Sequence, residues 1–292
     1  MKASIASIRK ELAGIFAGEE IESLIFLIFE NLKGYSRTRF LLSKEEILLS
    51  KDELGEIKSI VTRLKNHEPI QYILGKTEFY GLPFYSVPGV LIPRPETEEL
   101  VQWIIQENTN TSPTILDIGT GTGCIAISLR KNIEQATVLA CDISSVCIKT
   151  ALRNAELNAA SVSVFEYNIL KNTLEVNFPK LDLIVSNPPY VRDTEKLLME
   201  KNVLEYEPEL ALFVPDKNPL IFYERISDFA LAHLKNCGSL YFEINEAFGK
   251  ECVEMLETKG FSNIIVKKDI NGKDRMIRAI VSTAIKSSHT LQ

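Results

Sequence analysis

The chain has 292 residues, 45% hydrophobic and 25% charged, which suits one large or two ordinary globular domains and excludes a disordered, low-complexity or fibrous chain. With 33 basic and 39 acidic residues the formal charge is −6 and the pI near 5.4, so no long-range field draws in nucleic acid. Five cysteines without a Cys-x-x-Cys pair and three well-separated histidines argue against a disulfide scaffold or a metal site.

Met1 to Ile5 opens no apolar signal core. The longest strongly apolar run, Leu24 to Phe29, falls far short of the roughly 20 residues that span a bilayer. A soluble, cytoplasmic protein is expected. Up to residue 75 the apolar residues fall at helical spacing: Ile5, Ile8, Leu12 and Ile15, then Leu24, Leu27 and Ile28, then Leu54, Ile57, Val61 and Leu64. Ser43-Lys-Glu-Glu46 and Ser50-Lys-Asp-Glu53 both match the capping box that starts a helix. Residues 1–75 therefore read as a small all-α bundle, equally suited to supporting the rest or to docking a partner. Residues 76–95 interleave Gly81, Pro83, Pro88, Gly89, Pro93 and Pro95 with aromatic and β-branched residues, the pattern of a β-hairpin linker.

From residue 96 to 285 strand-like and helix-like segments alternate. Strands are expected at 114–118, 137–141, 161–165, 181–185, 239–244, 263–267 and 275–281, with helices from Cys124 and Ser144 and around 220–234. Such alternation predicts an α/β, doubly wound Rossmann-like domain with a seven-stranded, mainly parallel sheet and a ligand beyond the carboxyl ends of its strands. Residues 286–292 read as a flexible tail.

The first chemical signal is Asp117-Ile-Gly119-Thr120-Gly121-Thr122-Gly123, a strand entering a glycine-rich turn ahead of a helix. Glycines at alternate positions allow tight turning and close approach to a ligand. Gly121-x-Gly123-x-x-Ala126 followed by Asp142, 21 positions after Gly121, also satisfies the loose dinucleotide fingerprint. Charge separates the two readings: Asp117 would repel a pyrophosphate at this turn but pairs with the ammonium of S-adenosylmethionine. Asp142, ending the second strand, is placed to accept both ribose hydroxyl protons or to cap the following helix.

The second signal is Ile184-Val-Ser-Asn187-Pro188-Pro189-Tyr190. Two prolines stop the strand and hold the chain extended, fixing the Asn187 amide at its end. Methyl transfer to a planar nitrogen needs such a group. The nitrogen lone pair is delocalised, and its N–H protons need acceptors as it attacks; the Asn187 side-chain oxygen and the Pro188 carbonyl can each take one. Tyr190 is expected to offer its ring face to the flat group. No general base is required, and no histidine lies nearby.

These motifs, with Glu68-Pro-Ile-Gln-Tyr-Ile-Leu-Gly75 and Val90-Leu-Ile-Pro-Arg-Pro-Glu-Thr-Glu98, closely resemble the glutamine methyltransferases that modify peptide-chain release factors, the HemK or PrmC type. Asn-Pro-Pro-Tyr alone is shared with adenine methyltransferases; its combination with Pro-Arg-Pro-Glu-Thr-Glu and a preceding helical domain is the discriminating feature. The resemblance implies methyl transfer from S-adenosylmethionine to the side-chain amide nitrogen of the glutamine in a release factor's Gly-Gly-Gln loop. It implies that residues 1–75 recognise the substrate, that no metal is needed, and that the enzyme works as a monomer on a protein partner. Asp117, Gly119, Thr120, Gly121, Thr122, Gly123, Asp142 and Asn187 would hold the cofactor, and Asn187, Pro188, Pro189 and Tyr190 the glutamine. Asn168-Ile169 stands where relatives carry an acidic residue and an aromatic, giving an amide for the adenine edge. Arg94, Glu96 and Glu98 lie near the methionine end of the cofactor or form an ion-pair cluster. The alternatives are glutamine methylation of another protein, such as a ribosomal protein, adenine-N6 methylation of nucleic acid, and a non-catalytic adaptor. Five basic and nine acidic residues between 171 and 216 give that flank a net charge of −4, unpromising for a polyphosphate. Intact glycines and Asn187 speak against the adaptor.

Overall fold

A computed structural model of the chain describes residues 2–43, 48–171 and 178–281. The chain separates into two compact units: residues 1–76 with 200–206, and residues 77–199 with 207–292. Residues 44–46 of the proposed capping box at Ser43 to Glu46 and the tail at 286–292 lie outside the described residues.

The first unit contains α1 (Lys2–Leu12), α2 (Gly18–Lys33), α3 (Arg37–Ser43), α4 (Lys51–Lys65) and α5 (Ile70–Leu74). Ile5, Ile8 and Leu12 pack with Leu24, Ile25, Ile28, Phe29, Ile57, Val61 and Leu64 in one core, as the helical spacing requires. Leu54 falls outside that stripe and is 45% exposed, and Ile60 takes the inward place. Ser50 starts α4 with both arms of the capping box, its Oγ accepting from Glu53 N at 3.1 Å and its own N–H donating to Glu53 Oε2 at 2.8 Å.

The second unit begins with the hairpin β1 (Lys76–Phe79) and β2 (Leu82–Tyr85). The sequence reads 76–95 as a β-hairpin linker; the hairpin forms, and its residues from 77 on group with the second unit. Phe79 and Phe84 are fully buried in that unit's core. The Asn154 amide accepts from Tyr85 N at 2.7 Å and donates to Tyr85 O at 3.2 Å. After α6 (Pro95–Glu107) come β3 (Thr114–Ile118), α7 (Cys124–Asn132), β4 (Thr137–Asp142), α8 (Ser145–Leu157), β5 (Val162–Glu166), β6 (Leu181–Ser186) and the short β7 (Val191–Arg192). Then follow α9 (Lys201–Tyr206), α10 (Glu209–Leu212), β8 (Phe213–Val214), α11 (Ile221–His233), β9 (Leu234–Glu243), α12 (Gly249–Thr258), β10 (Phe261–Lys268) and β11 (Asp274–Val281). By its contacts α9 belongs to the first unit, where the Tyr206 hydroxyl donates to Asn66 O at 2.7 Å.

The seven-stranded sheet has the order β10-β11-β9-β6-β3-β4-β5. β9, β6, β3, β4 and β5 run parallel, and β11 pairs antiparallel with both β9 and β10. This is the mainly parallel, doubly wound sheet that the alternation predicts. Helices cover both faces, so the central strands read as continuous apolar runs. Ile115 and Val185 enter one core, and Leu116, Ile184, Leu240 and Phe242 the other. The chain leaves β3 toward β4 and later returns to β6 on its other side, placing the topological switch point at the carboxyl end of β3.

Candidate active site

The loops that follow β3, β4, β5 and β6 line one cleft of about 200 Å³. Gly119 to Thr122, Asp142 to Ser144, Tyr167 to Leu170 and Ser186 to Pro189 contribute walls, joined by Leu91 to Arg94 and Thr97. Every one of these loops leaves the carboxyl end of a parallel strand, where such sheets open a crevice.

The glycine turn is tied down by backbone bonds. Gly119 N and Thr120 N both donate to Cys141 O, at 2.9 and 3.0 Å. Gly121 N donates to Asp142 Oδ2 and Ser144 N to Asp142 Oδ1, both at 2.9 Å. Asp142 therefore braces two loops at once. The helix cap is Ser144 instead, its Oγ accepting from Cys147 N. A carboxylate oxygen accepts more than one hydrogen bond, so Asp142 keeps capacity for a ligand diol at the cleft wall. Ile143 beside it is 44% exposed, and Ile169, Leu170 and Phe222 add apolar wall.

Asp117 does not line this cleft. It is fully buried, with Oδ2 accepting from the Thr120 hydroxyl at 2.6 Å and Oδ1 without a hydrogen-bond partner. The expected direct pairing with a ligand ammonium becomes a field acting from beneath the loop. Burial pushes its carboxyl up to about 7, against the pull of the Thr120 hydrogen bond. A folded-state value above the unfolded one means that the ligand-free protein loses stability as pH rises from about 4 to about 7. Asp117→Asn, which keeps an acceptor for Thr120, should flatten that fall in melting temperature between pH 5 and pH 8; an unchanged slope would show that Asp117 is ionised throughout.

Three more site residues sit in specific settings. Tyr190 is half-buried and turned inward: its hydroxyl donates to Glu243 Oε1 at 3.0 Å, and its carbonyl accepts from Asn245 Nδ2 at 3.1 Å. Its ring is not a wall of the cleft, whereas Pro188 and Pro189 are. Asn168 does line the cleft, with its Oδ1 accepting from Leu170 N at 3.0 Å and its NH2 open to an adenine edge. Gly123 is also absent from the wall; a side chain there would meet Ala151 and Ile127 of the neighbouring helices.

Asn187 has a defined orientation. Its Nδ2 donates to Thr97 Oγ1 at 3.2 Å, and the Thr97 hydroxyl donates to Glu243 Oε2 at 2.5 Å. The amide oxygen is thus the branch left for a ligand. Burial raises the Glu243 carboxyl, while Thr97, Tyr190 and Arg275 pull it back down. Thr97 lies inside the Pro-Arg-Pro-Glu-Thr-Glu motif and Glu243 at the end of β9, but neither position states its partner in the sequence, so sequence reasoning gives them no individual role. Nor do Arg94, Glu96 and Glu98 form one cluster. Arg94 lines the cleft and pairs with the buried Glu207 at 2.6 Å, whose other oxygen accepts from Ile92 N, while Glu98 accepts from Tyr80 N.

The PrmC N-terminal domain model matches residues 6–75 and the methyltransferase small domain model residues 96–206. A release factor glutamine methyltransferase of Flavobacterium psychrophilum is 51% identical over 271 residues, covering 91% of this chain and 94% of the relative. The chain belongs to the release factor glutamine methyltransferases. A second member, from Bacteroides thetaiotaomicron, is 46% identical over 94% of this chain and 98% of its own. A methyltransferase structure from Pyrococcus furiosus superposes with a TM-score of 0.53 at 17% identity, covering 80% of this chain and 100% of that one, which speaks to fold alone. As a member of the release factor glutamine methyltransferases, the chain is a methyltransferase, and its cleft takes on a chemical meaning. The braced Asp142 and the open glycine turn suit a nucleoside such as S-adenosylmethionine. Among the described residues no helix is long and apolar enough to cross a membrane.

Proposed function

We propose that this protein methylates the side-chain amide nitrogen of the glutamine in the Gly-Gly-Gln loop of a peptide-chain release factor, using S-adenosylmethionine, in the cytoplasm. The observation that carries the reading is the Asn187 amide, held by Thr97 with its oxygen left for a ligand in a cleft braced by Asp142. Gly119 to Thr122 and Asp142 would hold the nucleoside, with Arg94 and the apolar walls around it. S-adenosylmethionine supplies a sulfonium methyl: the glutamine nitrogen attacks that carbon, the C–S bond breaks with its electron pair going to sulfur, and a neutral thioether leaves.

Asn187 Oδ1, with the Pro188 carbonyl, accepts the two amide N–H bonds, concentrating the lone pair on nitrogen and stabilising the positive charge that develops there. The N-methylated, N-protonated amide is a strong acid and gives its proton to water. That explains why no general base needs to line the cleft. Pro188 and Pro189 restrict the backbone, so much of the acceleration comes from fixed geometry. The acidic flank around residues 171–216 favours a protein over a polyphosphate substrate.

Transfer of label from S-adenosylmethionine to a purified release factor tests this reading, and labelling of DNA adenine in its place contradicts it. Residues 1–75 are proposed to recognise the body of the factor. Deleting them should reduce activity on the intact factor far more than on a short Gly-Gly-Gln peptide; equal losses would make the helical unit a mere support.

A further inference from the structure

Glu243 is 1% exposed, and its two oxygens take protons from two hydroxyls in two different motifs: Thr97 of Pro-Arg-Pro-Glu-Thr-Glu at 2.5 Å and Tyr190 of Asn-Pro-Pro-Tyr at 3.0 Å. A hydroxyl has one proton. If Thr97 gives it to Glu243, the Thr97 oxygen can face Asn187 only as an acceptor, so Asn187 must turn its NH2 toward Thr97 and keep its oxygen for the cleft. Asn187 cannot choose this alone, because its two amide branches have the same shape. The choice is made two groups away by Glu243, which accepts at both ends. Both bonds place Glu243 as the acceptor, and against the push of burial Thr97, Tyr190 and Arg275 favour its charged form. Behind it stands Arg275, locked by Asp269 at 3.1 Å and donating to Ile244 O at 3.4 Å.

We propose that Glu243 is a positioning residue for methyl transfer, acting through the Thr97 hydroxyl to fix which end of the Asn187 amide faces the glutamine. The inference rests on the role given to Asn187 above. A glutamine at 243 would be nearly isosteric, yet its NH2 could donate to Thr97, turn the Thr97 proton toward Asn187, and reverse the amide. The cleft would then offer a donor to an N–H that needs an acceptor.

The test uses the full-length protein with Glu243→Gln, Thr97→Val, Thr97→Ser, Tyr190→Phe and Asn187→Ala, reading kcat and KM on a release factor, the Kd for S-adenosylhomocysteine by calorimetry, and the melting temperature. Glu243→Gln and Thr97→Val should each lower kcat by about 10²-fold, the scale of one lost transition-state acceptor, with the Kd changed less than about 3-fold. Thr97→Ser should recover kcat to within about 10-fold of the parent, and Thr97→Val should add less than about 3-fold to Asn187→Ala, because the two act as one unit. Tyr190→Phe, which spares the Thr97 arm, should cost less than Thr97→Val. If Asn187→Ala is inactive while Thr97→Val and Glu243→Gln keep kcat within about 3-fold, the positioning role is wrong and the Asn187 reading stands. If Asn187→Ala itself keeps its activity, the parent reading falls. Should Glu243→Gln fail to fold, the Thr97 pair and the double mutant still decide.

Discussion

Replacing Asn187 by Ala is expected to lower turnover by about 10³-fold while leaving affinity for S-adenosylmethionine within several-fold. The size follows from what the residue supplies. An amide nitrogen has almost no free lone pair, and the N–H acceptor that helps it pyramidalise is most valuable when charge has developed, so the loss falls on the transition state and on kcat. Asn187 Nδ2 is held by Thr97, and the backbone on either side is held by the Ser186 hydroxyl on Ile118 O at 2.7 Å and by the two prolines. Little reorganisation is left to compensate. Asn187→Asp should be no rescue, since it would return an acceptor but place a second carboxylate close to Glu243 and leave nothing to donate to Thr97. A kcat within 10-fold of the parent for Asn187→Ala, in a protein that still binds its cosubstrate, would remove this residue from the chemistry.

The largest expected effect on stability is at Gly123. Its φ is 82°, and a Cβ built there lies 3.0 Å from Ile127 Cδ1, 3.1 Å from Ala151 Cβ and 3.3 Å from Ala151 Cα. The left-handed backbone costs an L-residue about 1–2 kcal/mol. The overlap with Ala151 cannot be relieved by a rotamer change, because part of it is backbone, and overpacking of this kind costs about 1–3 kcal/mol. Gly123→Ala should therefore lose roughly 2–5 kcal/mol and melt several degrees lower. Gly119→Ala is the control: φ is 75°, but nothing lies within 4 Å of its Cβ, so only the backbone cost applies. Equal losses in the two variants, measured by thermal melts without ligand, would show that the close approach of α7 and α8 contributes nothing.

The sheet was legible because buried parallel strands are apolar on both faces, and the short runs Ile115-Leu116, Leu183-Ile184-Val185 and Leu240-Tyr241-Phe242 recur at the spacing of strands alternating with helices. The glycine turn and Asn187 were legible because each states a local requirement: a left-handed backbone in one case, a strand stopped by two prolines in the other. Periodicity and motif spacing say nothing about who bonds whom across 146 residues, and the Thr97–Glu243 contact therefore stayed out of view. The inward turn of Tyr190 stayed out of view for a related reason. A tyrosine beside a motif suggests a ring for the substrate, but a buried acceptor within reach of its hydroxyl draws it inward. Asp117 reads in the sequence as a direct partner for a ligand ammonium. Its place in the strand, one residue on from Leu116 and two from Ile115, puts it in the interior, where a carboxylate acts through its field. The hairpin read as a linker because its glycines and prolines mark turns, while Phe79 and Phe84 between them belong to a core that only the folded chain assembles.

The most direct test of the proposed activity is mass spectrometry of a purified release factor after incubation with this protein and S-adenosylmethionine. The account predicts the mass of one added methyl, located by fragmentation on the side-chain nitrogen of the Gly-Gly-Gln glutamine and absent with the Asn187→Ala protein. A methyl on another residue, or an unmodified factor alongside methylated adenine in added DNA, would contradict it.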